Sequence, residues 1–312
     1  MSVSVFIDGA VGTTGLDIRE RLAGRTDLAV VTLDEARRKD AAAREEALND
    51  CDIAILCLPD DAAREAVALI RNDRTRVIDA STAHRVAEGW TYGFAELEPD
   101  QADRIAAARF VANPGCYPTA FLALVRPLVR AGLVPPDWPL SFNAVSGYSG
   151  GGKAMIAEFE EGATDTAFRA YALGCAHKHL PEMRAHAGLT HPPIFAPAVA
   201  RLLRGMLGEV PLPLLHLPAA PTLADIESVL REAYAASPLV RVMPGDVATA
   251  VIEEHAGTDG MSLRVCGNAG TGQARLVATL DNLGKGAGGA AVQNLNIMAG
   301  LDPLAGLTLT KE

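Results

Sequence analysis

The sequence predicts an α/β protein in two parts: a doubly wound parallel sheet over the first third of the chain, then an α+β region whose sheet face can pair subunits. Three observations carry this expectation. Short apolar, β-branched runs alternate with helical stretches up to about residue 113, as a parallel sheet with helices on both faces requires. The first run leads into a turn with three glycines, Asp8-Gly9-Ala10-Val11-Gly12-Thr13-Thr14-Gly15. Beyond the break Pro135-Pro136-Asp137-Trp138-Pro139 the composition changes to strands with few helices.

Ser2 to Ile7 reads as the first strand, and the helix after the glycine turn carries Leu16, Ile18 and Leu22. Such a turn lets backbone approach a pyrophosphate whose charge sits over the helix N-terminus. The spacing is G-x-x-G-x-x-G rather than G-x-G-x-x-G, so an ordinary strand-to-helix turn is the alternative. Leu28 to Leu33 is the second strand, with Asp34 and Glu35 where the ribose-binding acid of an NAD site is expected. Arg37, Arg38 and Lys39 follow at once. They suit the 2′-phosphate of NADP, or else form the solvated start of a helix from Ala41 to Leu48. Cys51 to Leu58 and Arg76 to Asp79 are buried-strand runs on either side of a helical Ala62 to Ile70. After them comes the loop Ser81-Thr82-Ala83-His84-Arg85, in which Arg85 can clamp an anion and His84 reads most simply as a surface residue.

Phe110 to Asn113 is the last strand of this half, and Asn113-Pro114-Gly115-Cys116-Tyr117-Pro118-Thr119 follows it. Proline is tolerated in the first turn of a helix, which puts Cys116 at the N-terminus of a helix running to Ala131. Unpaired N–H groups and the helix dipole there favour thiolate over thiol. A small thiol packed at a turn is the competing reading. Because ligands bind beyond the carboxyl ends of parallel strands, the sulfur is expected at the cofactor's crevice.

In the second half, Leu140 to Ser146 runs into Ser146-Gly147-Tyr148-Ser149-Gly150-Gly151-Gly152-Lys153. This loop can gather amides round a phosphate, or serve as a flexible connector. His177 and His179 stand two apart, so in extended backbone they share a face, and Pro181 opens a helix. No second cluster accompanies Cys175, His177 and His179, so no metal site is expected, and the imidazoles suit acid–base work beside Cys116. Pro192 to Val199, Arg204 to Val210, Leu239 to Val242, Ser262 to Gly267 and Gln273 to Leu280 read as strands. Thr222 with Asp225 resembles a capping box for a helix from Ile226 to Ala235. The glycines of Asp281 to Gly289 precede a closing helix.

Composition narrows the function classes. At 312 residues about two domains are expected. The hydrophobic fraction is 49% and the charged fraction 21%. No apolar run approaches the ~18 residues of a membrane span, and the start lacks a secretory pattern, so a soluble cytoplasmic protein is expected. A net charge of -10 disfavours nonspecific nucleic-acid binding. The five cysteines, odd in number and scattered, form no disulfide framework.

Taken together, the heptad Asn113 to Thr119, Gly9 to Gly15, His177-Lys178-His179-Leu180-Pro181-Glu182 and the Asp281 to Asn296 stretch resemble the shorter type of the N-acetyl-gamma-glutamyl-phosphate reductase family. The resemblance runs from the first strand to the last helix. It implies a Rossmann-type NADP-binding domain over 1–115, completed by a C-terminal helix at 286–312, and a glyceraldehyde-3-phosphate-dehydrogenase-like catalytic and oligomerisation domain over 116–285. It also implies a homodimer or homotetramer. By the same resemblance Cys116 is the nucleophile, with His177 and His179 as the acid–base pair. Gly9, Gly12, Thr13, Thr14, Gly15, Ser81 and Asn282, with Arg37 and Arg38 from the basic cluster, fall to the cofactor. Arg85, Asn113, Ser146, Gly147, Lys153 and Glu182 fall to an acyl-phosphate substrate. An aspartate-semialdehyde dehydrogenase, sharing the thioester route, and a catalytically silent NADP-binding sensor are the rival readings.

Overall fold

The computed structural model describes residues 2–309, so Met1 and residues 310–312 of the expected first and closing segments lie outside the described residues. The chain divides into two compact units. One comprises residues 1–95, 100–115 and 287–307, the other residues 96–99, 116–286 and 308–312.

The first unit holds β1 (Val3–Asp8), α1 (Thr13–Leu22), β2 (Leu28–Val31), α2 (Ala41–Asp50), β3 (Ile53–Leu56), α3 (Asp60–Ala68), β4 (Arg76–Asp79), β5 (Thr91–Tyr92), α4 (Gln101–Ala107) and β6 (Phe110–Ala112). Its sheet runs in the order β2-β1-β3-β4-β6-β5, every pair parallel. Alternation along β1 explains the two faces. Val5 and Ile7 join Ile18, Leu22, Ile55 and Ile78 in one apolar cluster, while Phe6 joins Leu48, Leu56, Ala63 and Val77 in the other. Strand order reverses between β1 and β3, the switch point at which such sheets bind ligands.

The second unit is built from α5 (Cys116–Arg130), β7 (Ser141–Gly147), a 3₁₀ turn (Tyr148–Gly151), α6 (Gly152–Glu160), β8 (Phe168–Ala170), α7 (Leu180–Ala187), β9 (Ile194–Ala200), β10 (Met206–Pro213), α8 (Leu223–Ala233), β11 (Val240–Val242), β12 (Met261–Asn268) and β13 (Gln273–Leu280). Its mixed sheet has the order β11-β12-β13-β10-β7-β9-β8. Helix α5 buries eleven of its residues, Phe121 packing on Phe142 among them. It carries Pro127 in its interior, which removes the bond to the carbonyl of Ala123. The Tyr234 hydroxyl donates to that carbonyl at 2.8 Å and replaces the missing partner. The Thr222–Asp225 capping box forms, so α8 starts at Leu223, three residues before the expected start.

The closing segment, a π turn (Gly284–Gly288) and α9 (Gly289–Ala299), belongs mainly to the first unit, where Ala291, Val292, Leu295 and Met298 enter the apolar cluster of Val5 and Ile7. The helix expected over 286–312 stops at Ala299. Gly300 adopts a left-handed C-cap (φ 67) that satisfies the last carbonyls and ends it.

Candidate active site

Two sites emerge, one in each unit. In the first unit the glycine turn is shaped by contacts that only glycine permits. Gly9 has φ 84, and a Cβ there would lie 2.3 Å from the Cys57 carbonyl oxygen at the end of β3. A Cβ at Gly15 would come within 2.5 Å of the Gly9 oxygen. The turn therefore lies flat over the switch point, with Gly12 capping α1 and Thr13 and Thr14 opening it. Beside it is a cavity of about 270 Å³, lined by Gly9, Ala10, Val11, Leu33, Arg38 and Lys39, and by Arg44, which binds Asp8 through two nitrogens. The Arg38 Nε, on the cavity wall, and the Thr13 hydroxyl, at the start of α1, are buried with no hydrogen-bond partner, the condition of groups awaiting a polar ligand. These residues fit a dinucleotide.

The basic cluster divides. Arg38 and Lys39 line this cavity, whereas Arg37 pairs with Glu46 at 3.0 Å and lines a separate hollow with Val31 and Ala47. Glu35, expected as a ribose acid, is exposed and pairs with Arg38 at 3.2 Å. Sequence reasoning missed Arg44 and Asp8, whose pairing spans 36 residues and leaves no local signal.

At the end of β4, Asp79 is fully buried. Its carboxylate accepts the Ser81 N–H and hydroxyl, and the His84 Nδ1 lies 2.6 Å away. His84 stacks on Trp90 with centroids 4.0 Å apart. It is not the surface residue the sequence suggests, because a carboxylate and an indole hold it in the loop. Arg85 Nε donates to the Asn113 carbonyl at 2.9 Å, and the Asn113 amide joins the Ala287 carbonyl to the Asn294 side chain.

In the second unit Cys116 is the first residue of α5 and is partly accessible. Around it stand groups from distant parts of the chain. The next residue, Tyr117, donates its hydroxyl to the Ala198 carbonyl at 2.8 Å and receives that of Tyr171 at 3.4 Å. The Tyr171 phenol is pushed up to about 12, mainly by burial and further by the charge of Cys116. His177 packs edge-on against Phe195 and His179, with centroids 5.0 and 4.8 Å away, and both imidazoles lie 6.2–6.3 Å from the Tyr117 ring. The two histidines are brought together by a turn and not by extended backbone: His179 has φ -87 and ψ -10 and precedes α7. Its N–H donates to His177 Nδ1 at 3.2 Å, so the proton of neutral His177 resides on Nε2.

Burial, assisted by Lys178, lowers the His177 pKa to about 4. Folded His177 therefore stays neutral where the unfolded chain protonates, and its contribution to stability is lost as pH falls from 6.5 towards 4. His177→Asn is expected to flatten the fall in Tm across that window. An unchanged profile in a thermal melt series would contradict the assignment.

The sheet register brings three loops to this end of the unit, because Ser146 pairs with Met206 and Met206 with Leu280. Gly147 N–H donates to the Gly205 carbonyl, and Asn282 accepts from Gly205 N–H and donates to the Ser149 hydroxyl. Asn282, expected at the cofactor, thus joins the Gly147 and Gly205 turns. Glu182 is buried on α7. Lys153 lies exposed on α6, and the glycine-rich stretch before it is folded into the 3₁₀ turn and not left as a flexible connector.

A dinucleotide-type glycine turn in one unit and, in the other, a helix-terminal cysteine followed by the tyrosine on which two histidines pack define an acyl-transferring dehydrogenase architecture. The chain matches the semialdehyde dehydrogenase NAD binding domain over residues 4–105 and the semialdehyde dehydrogenase dimerisation domain over residues 116–282, and it belongs to the semialdehyde dehydrogenase family. Its curated relatives are N-acetyl-gamma-glutamyl-phosphate reductases. That of Brucella anthropi is 53% identical over 309 residues, covering 96% of this chain and 99% of the relative. That of Rhizobium meliloti is 52% identical over 307 residues, covering 96% and 99%. The same fold is found in aspartate semialdehyde dehydrogenase II from Vibrio cholerae, at a TM-score of 0.71 and 15% identity over 96% of this chain and 98% of that one. Among the described residues no helix is long and apolar enough to cross a membrane, and no cluster of three or more metal-ligating side chains occurs.

Proposed function

We propose that this protein reduces N-acetyl-L-glutamyl 5-phosphate to N-acetyl-L-glutamate 5-semialdehyde with NADPH, through a thioester on Cys116, in arginine biosynthesis. The observation that carries the reading is Cys116 as first residue of α5, next in the chain to Tyr117, against which Tyr171, His177 and His179 gather. The helix N-terminus favours the thiolate. The sulfur attacks the acyl carbon, a C–S bond forms, the C–O bond to phosphate breaks, and phosphate leaves as the anion. NADPH held at the glycine turn would supply the hydride that reduces the thioester. Backbone N–H groups at the start of α5 stabilise the oxyanion, an effect worth roughly 3 kcal/mol per well-placed donor. Collapse of the hemithioacetal breaks the C–S bond, releases the aldehyde and returns the sulfur. The one proton consumed overall passes through the imidazole pair. His177 is held neutral near pH 7 by its burial.

Gly9, Gly12, Thr13, Thr14 and Gly15 take the pyrophosphate and Arg38 the 2′-phosphate, and Ser81, in the loop after β4 of the same unit, serves the cofactor as well. Ser146, Gly147 and Glu182, in the unit that carries Cys116, serve the acyl-phosphate substrate. The mixed sheet pairs subunits in a cytoplasmic homo-oligomer. Exposed Ile194, Ala196, Pro211 and Arg275, alternating with buried neighbours, support that face as the one used.

Phosphate-dependent NADP reduction with N-acetyl-glutamate 5-semialdehyde, and little with aspartate semialdehyde, is the expected assay result. The reverse preference would overturn the substrate assignment. In the same assay Arg38→Ser is expected to raise the KM for NADP about 10–100-fold, the worth of one charge-assisted contact, with little change for NAD. Arg37→Ser is expected to do nothing comparable, since that side chain faces Glu46.

A further inference from the structure

The π turn that follows β13 carries a lysine in an unusual setting. Lys285 is 1% exposed, and its Nζ lies 2.6 Å from the Glu96 carboxylate, itself about 10% exposed. The flanking glycines are both wedged. A Cβ at Gly284 would lie 2.1 Å from the Thr258 carbonyl oxygen, and one at Gly286 would lie 2.8 Å from the Cβ of Cys116 and 3.2 Å from its Cα. The Gly286 N–H donates to the Asp281 carbonyl at 3.0 Å, five residues back, which closes the π turn. The backbone of residue 286 is thus in direct contact with the nucleophile's own carbons, and the adjoining side chain is anchored at its tip.

A buried ion pair is poor value as stabiliser, since apolar side chains of the same volume serve as well or better. Its best-attested use is to fix one register among alternatives. We propose that the Lys285–Glu96 pair is a positioning device that holds the π turn in the one register in which Gly286 seats Cys116 at the start of α5. The inference rests on Cys116 being the nucleophile. In this account Lys285 acts as a positioning residue, through the backbone of Gly286. A misplacement of about 1 Å at a reacting atom costs on the order of 10²-fold in rate.

The test uses the full-length enzyme with Lys285→Met and Glu96→Gln. Each is expected to lower kcat by about 10–100-fold, with the KM for NADPH within about twofold. Labelling of Cys116 by iodoacetamide at pH 7 should slow in parallel, because a displaced sulfur loses the helix N-terminus that favours its thiolate. Lys285→Arg should recover part of the rate. A merely structural role would lower Tm while leaving kcat unchanged and labelling unchanged or faster, and that result overturns the proposal. Should Lys285→Met not fold, Glu96→Gln, which keeps shape and an acceptor oxygen, decides by the same criteria. Wild-type enzyme whose Cys116 is not labelled ahead of the other cysteines would instead refute the nucleophile assignment itself.

Discussion

Cys116→Ser is expected to lower kcat by on the order of 10⁴ or more while leaving the fold in place. Removal of a covalent nucleophile from a working constellation costs that much or more in other enzymes. The substitution keeps the size of the side chain, and its site at the head of α5 is partly accessible, so the change in stability should stay within about 0.5 kcal/mol. Position alone does not rescue the reaction. A helix N-terminus can draw a thiol into its anionic form near neutral pH, whereas a hydroxyl ionises far too weakly for the same field to suffice. The imidazoles nearby do not compensate, since His177 is held neutral with a pKa of about 4 and binds any abstracted proton weakly. Unchanged melting with lost turnover is the expected signature. Retained turnover would remove the thioester from the mechanism.

Gly9→Ala is expected to have the next largest effect, and on a different quantity. At φ 84 an L side chain already costs about 1–2 kcal/mol. The new Cβ would also press on the Cys57 carbonyl oxygen at 2.3 Å and its carbon at 2.8 Å. Both are backbone atoms of the segment following β3, so neither can swing aside as a side chain tip does. The turn must lift off the switch point. A stability loss of about 2–4 kcal/mol is expected in urea titration. The Kd for NADPH should weaken on the order of 10²-fold, about 2.7 kcal/mol, because the amides that face the pyrophosphate leave their places. Wild-type affinity in the variant would show that this turn is not the pyrophosphate site. Gly24, with φ 78 and nothing within 4 Å of an added Cβ, is the control at which alanine should leave binding intact.

What could be read from the sequence was what local pattern encodes. Alternating strands and helices, the glycine turn, the capping box at Thr222 and the cysteine at the head of α5 all declare themselves within a few residues. Errors arose where a local rule met a distant partner. The strand expected to end at Val210 continues to Pro213 because β7 pairs with β10 only over Met206–Glu209, so Pro211 and Pro213 lose no ladder bond on that side. Pro127 sits inside α5 because Tyr234, 107 positions onward, occupies the carbonyl it leaves bare. The Glu96–Lys285 pair is separated by 189 residues, and neither side chain has a neighbour in sequence that announces it. Arg37 and Arg38 look equivalent in the chain, yet the turn from Asp34, whose carboxylate accepts the Arg37 N–H, sends them to different cavities. The His177 and His179 rings lie together because a turn, and not the extended backbone their spacing suggests, brings them side by side.

The most direct test of the account runs the reaction backwards without its last substrate. Enzyme, NADP and N-acetyl-glutamate 5-semialdehyde are mixed in the absence of phosphate, quenched in acid and examined by peptide mass spectrometry. One N-acetylglutamyl group should appear in thioester linkage on the peptide containing Cys116, accompanied by one equivalent of NADPH, and addition of phosphate before the quench should discharge it. An unmodified Cys116 with NADPH still formed, or an acyl group on any of the other four cysteines, would contradict it.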